Sequence, residues 1–143
     1  MLRMLCVLGL IAVLLMQGAE VAIARLDNYV VNFLRVRDAV ELPLDDEGMM
    51  VTVTAEELSE GKRLFERNCI NCHVGGATLP NPTVTLSLSD LAGATPPLDT
   101  LQGLINFQRE PLIYDGSDES YESRIVPEAW MDDVTLQKLA AFV

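Results

Sequence analysis

The sequence predicts a small, mainly α-helical domain with one minor β element and long loops. Three observations support this fold class: apolar residues recur at helical spacing in three segments, one short stretch is rich in β-forming residues, and proline and glycine interrupt the rest. A chain of 143 residues fits one domain, and its 50% hydrophobic content argues against global disorder.

The start of the chain has the composition of a secretory signal peptide over residues 1–24. Arg3 precedes an apolar run over residues 5–16, and Ala22-Ile23-Ala24 matches a cleavage site. The run is shorter than the ~20 residues that span a bilayer. We therefore expect a cleaved signal and an exported chain, with a retained anchor as the alternative.

Local signals divide the remaining chain into an N-terminal arm and hairpin, residues 25–54, and a main domain, residues 55–143. Residues 25–40 show no firm period and are expected to form a short helix or an extended arm. Residues 42–54 predict a small β-hairpin, because β-forming residues flank the turn sequence Asp46-Glu47-Gly48.

Three helices are expected in the main domain. Thr54 and Glu57 have the spacing of a capping box, which predicts a helix over residues 55–68. The apolar spacing of residues 100–108 predicts a second, amphipathic helix.

The spacing of residues 135–143 predicts the third helix, with Thr135 as its N-cap candidate. Glycines and prolines predict a loop over residues 74–97, in which residues 87–92 could form one helical turn.

The chain is strongly acidic, with 21 Asp and Glu against 10 Lys and Arg and a formal net charge of −11. Such a surface argues against nucleic-acid binding, which needs clustered Lys and Arg, and it is repelled by anionic lipid headgroups. Basic protein surfaces are the favoured partners, with docking that weakens in salt. The alternative is that the acidic surface only keeps the protein soluble, and net charge is the same in both cases.

The segment Cys69-Ile70-Asn71-Cys72-His73 is a C-x-x-C-H motif at the end of the predicted 55–68 helix. In an exported chain this motif is typical of covalent haem c attachment. Two thiols three positions apart can each form a thioether with a porphyrin vinyl group, and the adjacent His73 can then be the proximal iron ligand. The sequence thus predicts one haem c per chain, held by Cys69 and Cys72 with His73 on the metal.

Three other uses of the motif explain it less well. A structural zinc site needs four ligands, a thioredoxin-type dithiol needs a βαβ context, and a Cys69–Cys72 disulfide leaves His73 unexplained. A buried macrocycle also supplies apolar core that short helices cannot, so the apoprotein is expected to be poorly folded.

Several blocks of the chain resemble the photosystem II cytochrome c-550 family. C-x-x-C-H alone is generic, but its Val-Gly-Gly continuation, together with Ala-Thr-Pro-Pro and Tyr-Asp-Gly blocks, is specific to that family. The resemblance covers most of residues 41–143. Its blocks are residues 42–54, 58–76, 91–97, Asp99, 103–107 and 111–116.

The resemblance implies a monohaem, class I cytochrome c-like domain of low potential in the thylakoid lumen of a cyanobacterium. It implies electron transfer, association with lumenal subunits of photosystem II at the oxygen-evolving complex, or both, with a peripheral position at the membrane. A soluble redox partner with a basic surface is the other partner expected. An enzyme is not expected. The alternatives are a structural extrinsic subunit with little electron transfer, and an open-site haem protein that binds small ligands or peroxide.

The chain departs from the family pattern in two places. The family's second axial ligand is a His in the loop after Tyr-Asp-Gly, whereas His73 is the only His in this sequence and the loop over residues 117–126 looks shortened. The family's C-terminal tail has no counterpart after Val143, for which a truncated sequence is the alternative explanation. Both departures resemble the cytochrome c-550-like paralogue more than the standard extrinsic subunit.

The sixth iron ligand has several candidates. Met131, just before the last helix, is the leading one; Tyr121 and Tyr114 are weaker, and an open or water-ligated iron is the alternative. Met49 and Met50 are expected at the surface or in packing. Methionine would raise the potential, whereas tyrosinate, solvent access and the acidic surface would lower it.

Class I cytochromes share a crossing of their first and last helices, which implies contacts of Gly61 and Phe65 with Leu139 or Ala140. Trp130 is expected to pack at the last helix, with stacking beside the haem as the alternative. Four acidic side chains are expected to be solvated rather than to bind a cation: Asp115, Asp118, Glu119 and Glu122.

Overall fold

The computed structural model describes residues 26–143, and the predicted signal peptide lies outside them. This part of the chain is mainly helical, as predicted, with one two-stranded sheet. In chain order its elements are α1 (Asn28–Asn32), β1 (Ala39–Pro43), β2 (Met50–Thr54), α2 (Ala55–Asn68), a 3₁₀ turn (Val74–Gly76), α3 (Leu88–Ala92), α4 (Leu101–Arg109) and α5 (Asp133–Phe142). The helical turn α3 lies within the loop region, where the sequence allowed one.

The N-terminal segment forms a short helix rather than an extended arm. α1 is fixed to α2 by polar contacts around Asp27, whose backbone N–H donates to the Ser59 hydroxyl at 2.9 Å. That hydroxyl in turn donates to the carbonyl oxygen of Ala55 at 2.7 Å, and the Lys62 ammonium lies 3.2 Å from the Asp27 carboxylate. Val30 is fully buried beneath them, so apolar contact and ion pairing together hold a helix too short to form alone.

β1 and β2 pair antiparallel in the predicted hairpin, which begins at Ala39 rather than at Leu42. The turn is built by Asp45, whose carboxylate accepts hydrogen bonds from the backbone N–H groups of Glu47 (3.0 Å) and Met49 (3.1 Å). These bonds satisfy donors that the strand ladder does not reach. Both methionines of the hairpin are exposed, as expected.

The capping box at the start of α2 is confirmed. The Thr54 hydroxyl accepts a hydrogen bond from the Glu57 backbone N–H at 3.2 Å, and the Glu57 carboxylate accepts one from the Thr54 backbone N–H at 2.9 Å. Each side chain satisfies a backbone donor that the first helical turn leaves unpaired. The helix accordingly begins at Ala55 and ends at Asn68, as predicted.

The last helix begins earlier than its expected N-cap. α5 starts at Asp133, and its cap is Asp132, whose carboxylate accepts a hydrogen bond from the Thr135 backbone N–H at 2.8 Å. Asp and Thr are both favourable N-cap residues, so residue type did not decide between Asp132 and Thr135. The apolar spacing that begins at Leu136 showed which face of the helix is buried but not where its first turn begins. α4 has a threonine cap, Thr100, which accepts a backbone hydrogen bond of 3.1 Å.

α2 and α5 cross, as the resemblance implied, and Gly61 lies at their closest approach. A Cβ atom at this position would lie 1.9 Å from the carbonyl oxygen of Lys138, so only glycine fits. One turn further along, the Phe65 and Phe142 rings pack with centroids 5.6 Å apart. The expected partners Leu139 and Ala140 are buried in the core, and Phe65 packs against that core.

The hydrophobic core joins α2, α4 and α5, with the loop residues Val126 and Met131 added from the segment before α5. Within residues 26–143, no helix combines the length and apolarity that crossing a membrane requires.

Candidate cofactor site

The C-x-x-C-H motif forms a tight turn at the C-terminal end of α2. Cys69 caps the helix, and its carbonyl oxygen accepts hydrogen bonds from the backbone N–H groups of Cys72 (3.0 Å) and His73 (3.1 Å). This turn brings both thiols and the imidazole to the wall of one cavity. Both thiols are free, so the motif is not used as a disulfide here.

The cavity beside the motif has a volume of about 640 Å³, within the range of roughly 300–1,000 Å³ that ligand pockets occupy. Its walls are predominantly apolar and come from α2, α3, α4, α5 and the loops between them. Apolar side chains that line it include Phe65, Leu86, Leu91, Leu98, Leu104 and Val126. Two sulfurs and an imidazole in such a wall suit a large, mostly apolar ligand with a nitrogen-binding metal, which is the chemistry of haem c.

The ring of His73 is oriented for metal binding by a neighbouring carbonyl group. Nδ1 lies 3.1 Å from the carbonyl oxygen of Ala77, and because a carbonyl only accepts, Nδ1 must carry the proton. Nε2 of the neutral ring then keeps its lone pair, as a metal ligand requires. Burial lowers the pKa of His73, although the hydrogen bond to Ala77 opposes the shift, so the ring is neutral at pH 7.

The two cysteines differ in their surroundings. Burial raises the pKa of the Cys69 thiol, and the positive charge of Arg124 partly offsets this, so Cys69 is protonated at neutral pH. Cys72 is exposed at the rim of the cavity. The pair thus presents one sulfur inside the cavity wall and one at its edge.

Of the three distal-ligand candidates, the structure brings two to the cavity. Met131 is buried and lines the same cavity as His73. Tyr114 also lines it, but its hydroxyl already donates a 2.8 Å hydrogen bond to the carbonyl oxygen of Asp90. Tyr121 is 89% exposed and is not part of the cavity wall, so the sequence placed it wrongly.

Arg124 and Trp130 are site residues whose relationship the sequence did not reveal. Both line the cavity, and the guanidinium carbon of Arg124 lies 5.5 Å from the centroid of the Trp130 ring. Trp130 is 41% exposed and lines the cavity, as does Leu139 of the last helix. Neither residue belongs to a helix or strand, and no periodic signal connects them.

The acidic loop is held by its own short hydrogen bonds. The Asp115 carboxylate accepts from the backbone N–H (3.0 Å) and the hydroxyl (2.7 Å) of Ser117, and these bonds lower the pKa of Asp115. Among residues 26–143, no three or more His, Cys, Asp or Glu side chains are grouped so that they could hold a metal ion.

Crossed helices, a C-x-x-C-H turn at the end of the first of them and an apolar cavity beside that turn define a c-type cytochrome with a class I-like fold. The particular family follows from comparison with known proteins: a cytochrome c-550 domain matches residues 26–143, and the chain belongs to the cytochrome c-550 family. The predicted family and fold class are thereby confirmed.

Two relatives illustrate the range of the family. The cytochrome c-550-like protein of Thermosynechococcus vestitus is 57% identical over 126 residues, which cover 88% of this chain and 72% of that protein. Photosystem II extrinsic protein V of Gloeobacter violaceus is 46% identical over 147 residues, covering 99% of this chain and 79% of that protein.

Two solved structures share the fold. The PsbV2 cytochrome of Thermosynechococcus elongatus matches with a TM-score of 0.81 at 59% identity, covering 82% of this chain and 90% of that one. Cytochrome c549 matches with a TM-score of 0.64 at 28% identity, covering 71% of this chain and 85% of that one. The family consists of haem proteins that carry electrons or have a structural role, rather than of enzymes.

Proposed function

We propose that this chain is an exported monohaem c-type cytochrome of low potential in the thylakoid lumen. In this proposal it transfers electrons, associates peripherally with the lumenal side of photosystem II, or does both. One observation carries the proposal: the two thiols and the single imidazole of the C-x-x-C-H turn line the same apolar cavity.

The cysteines would attach the cofactor covalently. The thiols of Cys69 and Cys72 add across the two vinyl double bonds of the porphyrin. Each sulfur forms a C–S bond and its hydrogen goes to the neighbouring carbon, so the addition needs no oxidant or reductant. The protonated state of Cys69 is consistent with this addition. When bound, haem supplies a one-electron couple between ferric and ferrous iron.

The side chains around the iron position would set its properties. His73 offers Nε2 as the proximal ligand, because Ala77 holds the proton on Nδ1. Met131 is the side chain best placed to be the distal ligand, since it is buried in the same cavity. An open distal position is the alternative, and it favours a lower potential because methionine ligation stabilises ferrous iron.

The proposed location and partner rest on relatives and charge. Photosystem II extrinsic protein V is named for its place on photosystem II, and this chain is 46% identical to one such protein. The net charge of −11 suits basic patches on lumenal subunits or on a soluble redox partner. Co-purification with photosystem II at low salt, lost at high salt, is the expected outcome. Association that resists high salt would contradict charge-driven docking.

Haem attachment is tested on the exported protein. After denaturing electrophoresis, the wild-type band should retain peroxidase activity, and its intact mass should exceed the polypeptide mass by one haem. A Cys69→Ser/Cys72→Ser variant should lose both signals, whereas Asn71→Ala, which leaves the two thiols in place, should keep them. A wild-type band without stain or added mass would disprove the covalent site.

Distal ligation is tested by absorption spectroscopy. If Met131 ligates the iron, Met131→Ala should change the ferric and ferrous spectra, whereas the exposed control Met49→Ala should not. An unchanged spectrum in Met131→Ala removes Met131 as a ligand.

A second candidate function is that of an open-site haem protein for small ligands or peroxide. It applies if Met131 does not ligate the iron. A redox titration combined with carbon monoxide binding separates the two. Reversible reduction at low potential without carbon monoxide binding supports the carrier, and tight binding by the ferrous form supports the open site. A structural subunit is favoured instead if photosystem II depends on the protein even when its haem stays oxidised.

A further inference from the structure

Most of the charged side chains that line the cavity are negative. Among the described residues that line it, Arg124 is the single cation, and three carboxylates accompany it: Asp90, Glu110 and Glu122. The proximal His73 would bind a metal as an uncharged imidazole. Arg124 is therefore the one positive side chain at a site where the surrounding protein is strongly acidic.

Arg124 is held in place by stacking rather than by an ion pair. Its guanidinium lies over the Trp130 ring, and the guanidinium carbon Cζ is 5.5 Å from the ring centroid. Within residues 26–143, none of the ion pairs involves Arg124. Stacking on an aromatic face orients a guanidinium without neutralising it, because the ring carries no net charge. The positive charge beside the cavity is therefore not cancelled by an ion-paired carboxylate of the described residues.

We infer that Arg124, fixed by Trp130, is a positioning residue that raises the reduction potential of the site against the pull of the cavity carboxylates. This inference rests on the proposed haem site. Reduction transfers one electron from an external one-electron donor to ferric iron, so it lowers the charge at the metal by one unit. A nearby fixed cation favours the reduced state, and a nearby carboxylate favours the oxidised state. Arg124 is exposed at the cavity mouth, so solvent limits the effect.

The test is a spectroelectrochemical titration of the holoprotein with mediator dyes at low ionic strength. Arg124→Gln should lower the equilibrium constant for reduction by roughly three- to tenfold, the order expected for the loss of one partly screened charge beside the cavity. Arg67→Gln is the matched control, because Arg67 is also exposed and its loss changes the net charge equally, but it does not line the cavity. Glu122→Gln should shift the constant in the opposite direction. Arg124→Lys should retain part of the effect, since a lysine keeps the charge and loses the planar stacking.

Equal shifts in Arg124→Gln and Arg67→Gln would overturn the inference, since net charge would then explain both. A Glu122→Gln shift of the same sign as that of Arg124→Gln would overturn it as well. If Arg124→Gln fails to retain haem, Trp130→Leu decides the matter: loss of the stacking should lower the constant, and an unchanged constant contradicts the inference. Wild-type protein without haem would instead disprove the proposed function, so the two failures are distinguishable.

Discussion

The crossing of α2 and α5 and the loops around the cavity are held together by different interactions. At the crossing, backbones touch at Gly61 and apolar side chains such as Leu136 are completely buried. In the loops of the cavity wall, where side chains are more exposed, hydrogen bonds join segments that apolar burial does not. The backbone N–H and hydroxyl of Thr85 donate to the Asp90 carboxylate at 2.8 and 2.6 Å, and the Leu79 N–H donates to the Cys72 carbonyl at 2.9 Å.

The difference has an energetic consequence. Apolar burial stabilises by about 25 cal/mol per Å², whereas a typical hydrogen bond contributes only about 1 kcal/mol after its exchange with water. The crossing buries its apolar side chains against other protein atoms. In the wall, Leu79 is 47% exposed and Ile113 is 40% exposed. A ligand in the cavity would supply the missing apolar contact, so the wall should depend on haem far more than the crossing does.

The largest expected effect tests that dependence. In Cys69→Ser/Cys72→Ser, which cannot attach haem, amide hydrogen exchange should become fast throughout residues 74–100 and 110–132, while α2 and α5 retain more of their protection. Asn71→Ala is the control, because it keeps both thiols. Equal loss of protection in both regions would show that the crossing also needs the cofactor.

Damage to the crossing itself should be the next largest effect. Gly61→Ala places a methyl group against the Lys138 carbonyl oxygen and forces the helices apart. We expect a loss of about 2–3 kcal/mol in the free energy of unfolding, measured by urea titration. Arg67→Ala, an exposed substitution on the same helix, should change it by less than about 0.5 kcal/mol. A neutral Gly61→Ala would mean that the helices do not approach this closely.

The start of α2 offers a smaller perturbation of the same region. Thr54→Ala removes the hydroxyl that accepts the Glu57 backbone N–H, at an expected cost of about 1 kcal/mol. Thr54→Ser restores an acceptor and should recover most of the loss. If the alanine and serine variants unfold at the same urea concentration, the cap does not contribute.

The smallest expected effect is the contribution of His73, in the cavity wall, to the pH dependence of stability. Burial lowers the pKa of His73 in the folded protein, so its neutral form favours folding above the unfolded value of about 6.5. That contribution should be lost as pH falls from about 6.5 through the lowered folded value. In the haem-free Cys69→Ser/Cys72→Ser background the wall loosens, but His73 still lies beside Phe65 of α2, with ring centroids 6.2 Å apart, so His73→Gln should remove the smaller part of this pH dependence of the urea midpoint that remains. Parallel pH profiles with and without His73 would contradict the shift.

Signals between residues close in sequence were enough to predict α2, the hairpin and the C-x-x-C-H motif. The capping box of Thr54 and Glu57 located α2, and the Asp46-Glu47-Gly48 turn located the hairpin, because caps and turns are interactions between residues close in sequence. The C-x-x-C-H motif is also local, so its turn could be expected directly. Local reasoning was less reliable where two candidates compete, as Asp132 and Thr135 did for the cap of α5.

Contacts between residues far apart in the chain could not be predicted from the spacing of apolar residues. The packing of Phe142 on Phe65 was not predicted, because a rotation of α5 by one residue, about 100°, changes which side chain faces α2. Tyr121, a weaker candidate for the distal ligand, is at the surface, since no period fixes the direction of a loop side chain. The pairing of Arg124 with Trp130 was unseen for the same reason.

The amino-acid sequence alone determined the helices, the hairpin, the acidic surface and the three side chains proposed to bind haem, because each depends on composition or on neighbours a few positions apart. Only the tertiary structure decided which side chains surround the cavity, which distal candidates reach it and where its one cation lies. Those properties depend on how loops fold back over the helix crossing, and that path is set by packing between residues far apart in the chain.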